Sequence, residues 1–208
     1  MTSVSETLPL PALDAGLLTQ QLQQEDALLR GHFRLSSGLH SDTYVQCARF
    51  LRQPALAAPA AAALAAQIQA AGLQADTVVG PAMGGVVIGY ELARQLGVPG
   101  IFTERDGEGQ MALRRGFTIA PGEKIIIAED VVTTGKSTLE VARLLRCLGA
   151  EVLAVASLID RTGGAGGLDF LHFALLAVQA ATFAPEHCPL CAAGVPVVKP
   201  GSRPEKAF

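Results

Sequence analysis

Lys124-Ile125-Ile126-Ile127-Ala128-Glu129-Asp130-Val131-Val132-Thr133-Thr134-Gly135-Lys136-Ser137-Thr138 decides the fold class. The apolar run Ile125 to Ala128 requires a strand covered on both faces, and it ends in two adjacent carboxylates. A hydroxyl- and glycine-rich turn follows and opens a helix at Ser137. Backbone N–H groups and the positive end of a helix dipole converge at such a turn, which suits a phosphate. Glu129 and Asp130 directly before it would repel an anion, unless the same ligand also carries hydroxyls that can donate to carboxylates. A sugar phosphate meets both demands. The stretch is not a Walker loop, because Asp130 stands where that pattern needs its first glycine.

Outward from this segment, strands and helices alternate. Thr77-Val78-Val79 predicts a strand, followed by the glycine loop Gly80-Pro81-Ala82-Met83-Gly84-Gly85 and a helix from Val86 to Leu96. Val98 to Thr103 predicts a strand, Glu104 to Gly109 a polar loop, and Met111 to Phe117 a segment that can pair back. A helix over Ser137 to Leu148 is closed by Gly149, and Glu151 to Ile159 is a further apolar strand. The alanine-rich run from Pro54 to Ala71 predicts a helix ended by Gly72. Upstream, Asp14 to Leu29 has apolar residues at helical spacing and predicts one or two helices. His32 to Leu35 alternates like a strand, Ser36-Ser37-Gly38 turns, and Thr43 to Gln46 returns as a hairpin partner. Gly163 to Gly167 reads as a flexible turn, and the proline-rich stretch from Pro185 to Phe208 as irregular. This order predicts an α/β fold with a mostly parallel sheet flanked by helices, and ligand loops at the carboxyl ends of its strands.

Composition sets limits on the rest. A chain of 208 residues, half of them apolar, can bury one sizeable core, and a single domain is expected. The formal charge of −3 gives no basic footprint for nucleic acid. No apolar stretch reaches the length needed to span a bilayer, so no membrane partner is expected. Met1-Thr2-Ser3-Val4-Ser5-Glu6 lacks a basic region followed by an apolar core, so a secretion signal is not expected. The four cysteines are accordingly expected as reduced thiols in a cytoplasmic compartment. His187-Cys188-Pro189-Leu190-Cys191 is half of a zinc-type pattern, which the isolated Cys47 and Cys147 do not complete. His32 and His40 are expected as turn histidines, and Met83 as a packing residue.

Glu129-Asp130-Val131-Val132-Thr133-Thr134-Gly135-Lys136-Ser137 resembles the phosphoribosyl pyrophosphate (PRPP) signature of the type I phosphoribosyltransferases. The resemblance implies that fold, with a small hood from about residues 1–50 and the C-terminal tail, over a core from about 51 to 180. It implies that Glu129 and Asp130 bind the ribose hydroxyls, that Val131 to Ser137 hold the 5′-phosphate, and that Met83, Gly84 and Gly85 hold the pyrophosphate. Gly31-His32-Phe33-Arg34-Leu35-Ser36-Ser37-Gly38-Leu39-His40-Ser41-Asp42-Thr43-Tyr44 is similar to the hood of the orotate phosphoribosyltransferases. On that resemblance Arg161 pairs with the orotate carboxylate, and Tyr44, Val45 and Thr133 also contact the base. The resemblance runs from about Ala27 to Arg161, and more weakly through Cys188-Pro189-Leu190-Cys191 and Lys199-Pro200-Gly201-Ser202-Arg203.

Departures from the family pattern fall at the mobile loop, where Thr103-Glu104-Arg105-Asp106-Gly107-Glu108-Gly109 lacks the usual paired lysine and histidine. Arg105 stands near the lysine position, and the resemblance implies Arg105 and Asp130 as the catalytic, PRPP-contacting residues; either Arg105, Arg114 and Arg115 supply the cationic cover, or the chain belongs to a branch with a shorter loop, or catalysis is weak. Arg114 and Arg115 are either further cover or a solvated pair. Ser36 and Gly84 stand where many members carry lysines. The implied cofactor is Mg²⁺ carried by PRPP, with no direct protein ligand, and the implied assembly is a homodimer sharing its active-site loop. A phosphoribosyltransferase for another base, or a regulator that binds PRPP without turnover, stays open.

Overall fold

The computed structural model describes residues 13–163 and 168–200. Gly164 to Gly167, most of the expected turn, lie outside the described residues, as do residues 1–12 and 201–208. Helix α1 (Ala15–Gln24) starts where the Asp14 carboxylate accepts from the Leu17 amide at 2.8 Å. The hood follows as an antiparallel hairpin of β1 (Leu28–Arg34) and β2 (His40–Val45). Leu28 and Leu29 therefore open a strand, in contrast to the helical expectation. Their helical spacing to Leu22 is broken by Asp26, whose φ of 50° ends the helix before them.

Helices α2 (Cys47–Leu51) and α3 (Pro54–Ala70) lead into the main sheet. That sheet comprises β3 (Thr77–Pro81), β4 (Gly100–Arg105), β5 (Met111–Leu113), β6 (Lys124–Val132), β7 (Glu151–Asp160) and β8 (Leu171–Ala177). Helix α4 (Gly84–Leu96) crosses from β3 to β4, and α5 (Lys136–Cys147) from β6 to β7. The strand order is β5-β4-β3-β6-β7-β8, parallel except for β5. From the central pair β3 and β6 the connections run in opposite directions, so the chain reverses its winding between them. A crevice must open there at the carboxyl ends, where the two expected ligand loops lie side by side.

Alternation along β6 divides the core. Ile126 and Ala128 face a cluster built with Leu64 and Ile68 of α3 and Ile88 and Leu92 of α4, while Ile125 and Ile127 face Val141 and Leu145 of α5. The alanines of α3 have a packing role, since Ala57, Ala60, Ala61 and Ala65 form its buried stripe. Leu18 and Leu22 of α1 and Phe50 of α2 join the same cluster. Part of the segment expected to form the hood thus packs into the core. The motif strand also runs further than expected, pairing with β7 as far as Val132 opposite Asp160. Both carboxylates consequently sit within a strand instead of on a loop.

The chain returns to the hood through β9 (Thr182–Phe183), which pairs with His40 and Ser41 of β2. The proline-rich tail is ordered in part: a single 3-10 turn at Pro185–His187 precedes the short helix α6 (Pro189–Ala192). Val198 then lies along β1, its amide donating to the His32 carbonyl and its carbonyl accepting from the Arg34 amide, both at 2.8 Å.

Ile126, fully buried in the central strand, gives the direct test of this core. Ile126→Ala is expected to cost about 2–5 kcal/mol in urea unfolding. Leu171→Ala, at a residue 57% exposed on the edge strand β8, is expected to stay within about 0.5 kcal/mol. Equal losses would contradict the packing described.

Candidate active site

The glycine loop after β3 rests directly on the end of β6. A Cβ on Gly80 would stand 2.2 Å from the Gly85 carbonyl oxygen, and one on Gly85 would stand 2.4 Å from that of Ala128. At Gly84 it would meet the Asp130 carboxylate at 2.4 Å. With glycine at 84 the Asp130 carboxylate keeps this place and accepts from the Val131 amide at 2.8 Å. A cis peptide bond joins Ala82 to Met83. Met83 itself is 82% exposed, so it does not pack as expected; the loop holds its side chain away from the core.

Glu129 is buried and Asp130 partly so. Burial raises the carboxyl pKa of Glu129 from 4.5 to about 8, reinforced by the charge of Asp130. Burial also raises that of Asp130. Two carboxylates held together without a paired cation store electrostatic cost, and groups in that condition are candidates for ligand contact. The thiol of Cys47 lies beneath them, 3.7 Å from the Asp130 carbonyl, and burial with both carboxylates pushes its pKa well up. It is a packed, inert thiol.

Beyond the acids, Val131 to Thr138 wrap a small cavity of about 60 Å³. Gly135 adopts a φ of 71° immediately before α5, and no side chain caps the helix. Thr133 does not cap it either. The first amides of α5 are therefore left to a ligand or solvent, with only a long 3.4 Å contact from the Lys136 amide to the Thr134 hydroxyl.

A larger cavity of about 810 Å³ opens between hood and sheet. Tyr44, Val45, Thr133 and Arg161, the four residues expected to surround the base, all line it. Arg161 is fixed by its own amide, which donates to the Val132 carbonyl at 2.8 Å. Its Nε is buried without a hydrogen-bond partner, a condition unique among the side-chain polar atoms of the described residues. Burial lowers the guanidinium pKa, partly offset by Asp42. A buried guanidinium N–H without an acceptor costs free energy until an anion supplies one. Arg34 and Lys199 line the same cavity. Neither was expected there. Both stand in segments that resemble the family, the hood and the tail, but neither was given a ligand role, because only the fold brings them to the cavity beside Arg161.

Arg105 is placed differently. It lines neither cavity: its guanidinium donates to the Gly109 carbonyl at 2.6 Å and pairs with Glu140 of α5 at 2.8 Å. Arg115 forms a two-pronged pair with Glu104. For Arg105 to cover a ligand, its partly exposed pair with Glu140 must open, a step that costs little at such a surface.

The raised pKa of Glu129 makes apo stability depend on pH. Between about 4.5 and about 8 the folded protein holds a proton that the unfolded chain releases. Its contribution is full below that window and is lost as pH rises through it. Glu129→Gln is expected to flatten the fall and to raise the apo Tm above pH 8 by about 2–4 °C per kcal/mol recovered. Superimposable Tm–pH profiles for variant and parent would contradict the burial of this carboxyl.

Similarity to known proteins agrees with this geometry. The family model for the phosphoribosyl transferase domain matches residues 47–183. An orotate phosphoribosyltransferase of Carboxydothermus hydrogenoformans is 53% identical over 86% of this chain and 94% of its own. One from Desulforamulus reducens is 49% identical over 85% and 91%. The crystal structure of orotate phosphoribosyltransferase from Aeropyrum pernix superposes with a TM-score of 0.65 at 25% identity, covering 77% of this chain and 93% of that one. With the loop, the paired acids and the hood in their places, the chain belongs to the orotate phosphoribosyltransferase family of type I phosphoribosyltransferases.

Proposed function

We propose that the protein transfers the 5-phosphoribosyl group from PRPP to orotate, giving orotidine 5′-monophosphate and pyrophosphate in pyrimidine biosynthesis. The observation that carries this reading is the unpartnered Arg161 Nε in a cavity that also holds Tyr44, Val45 and Thr133. A planar carboxylate supplies the missing acceptor, and Arg34 and Lys199 add positive charge suited to an anionic base. The relatives named above support the same substrate pair.

In this reading the amides and hydroxyls of Thr133 to Ser137 hold the 5′-phosphate, and Glu129 and Asp130 accept from the ribose hydroxyls. The glycine loop offers backbone N–H groups of Gly84 and Gly85 to the pyrophosphate, with Met83 at its edge. Positioning carries most of the chemistry, because the C1–O bond breaks as the base nitrogen approaches and positive charge develops on the ribose. An ionised carboxylate beside that ribose would favour such charge, a part that falls to Asp130 while Glu129 keeps its proton. The residues suit a magnesium ion that arrives with PRPP: Glu129, lining the small cavity, and Asp130 beside it offer hard oxygens but build no closed cage, so the ion would be held mainly by PRPP oxygens and water. Such an ion would neutralise charge on the departing pyrophosphate. Arg105, released from Glu140, would close over the pyrophosphate and exclude water.

A homodimer sharing its loops between subunits is part of the proposal. An exposed apolar row formed by Met83, just before α4, with Val87 and Tyr90 on it supports this by offering a surface that a second copy would cover. Among the described residues no helix is long and apolar enough to cross a membrane. We place the enzyme in the cytoplasm, with PRPP and orotate as its ligands.

An absorbance assay of orotate, adenine, hypoxanthine, guanine and uracil with PRPP and Mg²⁺, with products identified by mass, tests the reading. Orotidine 5′-monophosphate from orotate alone is expected; turnover of a purine, or PRPP binding without any product, would overturn it. Arg161→Ala is expected to raise the orotate KM about tenfold to a hundredfold with little change for PRPP. Asp130→Asn is expected to lower kcat in a folded protein, and full activity would remove the ribose role.

A further inference from the structure

Away from the catalytic crevice, the hood brings together four side chains that the sequence separates widely. His32 of β1, His40 of β2, and Cys188 and Cys191 around α6 point ligand atoms at one another, all within 4.8 Å. His32 Nε2 lies 2.8 Å from His40 Nδ1, 3.4 Å from Cys188 Sγ and 3.8 Å from Cys191 Sγ, and Cys191 Sγ lies 3.3 Å from His40 Nδ1. Both histidines and Cys188 are buried, and the two thiols are not joined in a disulfide. This corrects two expectations: the histidines lie on paired strands instead of turns, and the half pattern at the tail is completed by them and not by Cys47, Cys147 or His187.

We propose that this cluster is a structural zinc site of the Cys₂His₂ type that locks the C-terminal tail onto the hood. With Zn–N near 2.0–2.1 Å and Zn–S near 2.3 Å, a tetrahedron has edges of roughly 3.3–3.8 Å. Three of the four separations, 3.3, 3.4 and 3.8 Å, fall within that range; the two imidazole nitrogens stand closer, at 2.8 Å, and the outer bound of 4.8 Å lies beyond it, so a cation enters as the imidazoles part and the cluster draws in. The surrounding contacts fit the same purpose. His32 Nδ1 lies 2.7 Å from the Val195 carbonyl, which fixes the proton on Nδ1 and turns the Nε2 lone pair into the cluster. Without metal, His40 can satisfy that lone pair by donating from Nδ1. On binding, His40 carries its proton on Nε2 instead, and the two thiols release theirs to solvent, leaving two neutral imidazoles and two thiolates around the dication. Two soft sulfurs with two imidazoles select zinc over magnesium or calcium.

The location gives the site a purpose. Val195 contacts His32, Val198 pairs with β1, and Lys199 lines the large cavity. Among the described residues, the tail reaches the hood through few backbone bonds and has mostly exposed side chains after Cys188. A metal crosslink there supplies what packing does not.

Metal analysis of the untagged full chain, purified under reducing conditions without chelator, tests this. About one zinc per chain is expected, falling below a tenth in Cys188→Ser/Cys191→Ser. Undiminished zinc in that folded variant would overturn the assignment. If the variant does not fold, the parent protein decides, after zinc is exchanged for cobalt: intense tetrahedral bands with thiolate charge transfer support the site. A weak octahedral spectrum, or no metal retained by the reduced parent protein, refutes it. Zinc is also expected to shield Cys188 and Cys191 from alkylation while the exposed Cys147 reacts.

Discussion

The close approach of the glycine loop to the carboxyl end of β6 is the contact on which the rest of the site depends. Gly80 and Gly85 meet backbone, where a Cβ would stand within 2.4 Å of a carbonyl oxygen. Side chains there would push α4 away from β6 and part the two central strands at their switch point. Because the loop sits so low, Gly84 lies against the Asp130 carboxylate, beside the strand end that leads to the turn before α5. The sheet sets the directions of these groups, and the glycines set their separation.

That closeness has an electrostatic consequence. Glu129 and Asp130 are pressed into low-dielectric surroundings with no cationic side chain of the described residues paired to them, and the carboxyl of Glu129 shifts to about 8. Arg161 has the complementary problem, a buried donor without an acceptor. Glu129 and Arg161 line neighbouring cavities that share Thr133 and Thr134, and the two defects have opposite needs, hydroxyls or a cation for the acids and an anion for the arginine. A ligand combining ribose, phosphates and a carboxylated base relieves both, so binding energy goes to groups that folding left unsatisfied.

The central sheet was legible in the sequence because its signals are local. Ile125 to Ala128 could only be a covered strand, and the glycines and hydroxyls after Val79 and Val132 marked loops by their own chemistry. The residues surrounding the base cavity were legible only through family resemblance, since nothing local ties Tyr44 to Arg161. What escaped the sequence depended on distant partners. Leu28 and Leu29 continue a helical spacing, yet Asp26 breaks the helix and β2 recruits them. Strands β8 and β9 lie on sheet edges, and α2 is a five-residue helix whose signal is too short to stand apart. His32 and His40 are separated from Cys188 and Cys191 by about three-quarters of the chain, so no spacing rule joins them. Arg105, given a catalytic part on its position in the loop, is held by Glu140 in this state, a contact between elements that no single segment reveals.

In the proposed function, the crevice at the meeting of β3 and β6 holds ribose phosphate on the turn before α5 and the base against Arg161. A crystal structure with orotidine 5′-monophosphate bound tests it most directly. The account predicts the phosphate on the amides of Thr134 to Ser137, the ribose hydroxyls on Glu129 and Asp130, and the base carboxylate accepting from Arg161 Nε. A carboxylate bound only by Arg34 and Lys199, with Arg161 Nε still unpartnered, would contradict it.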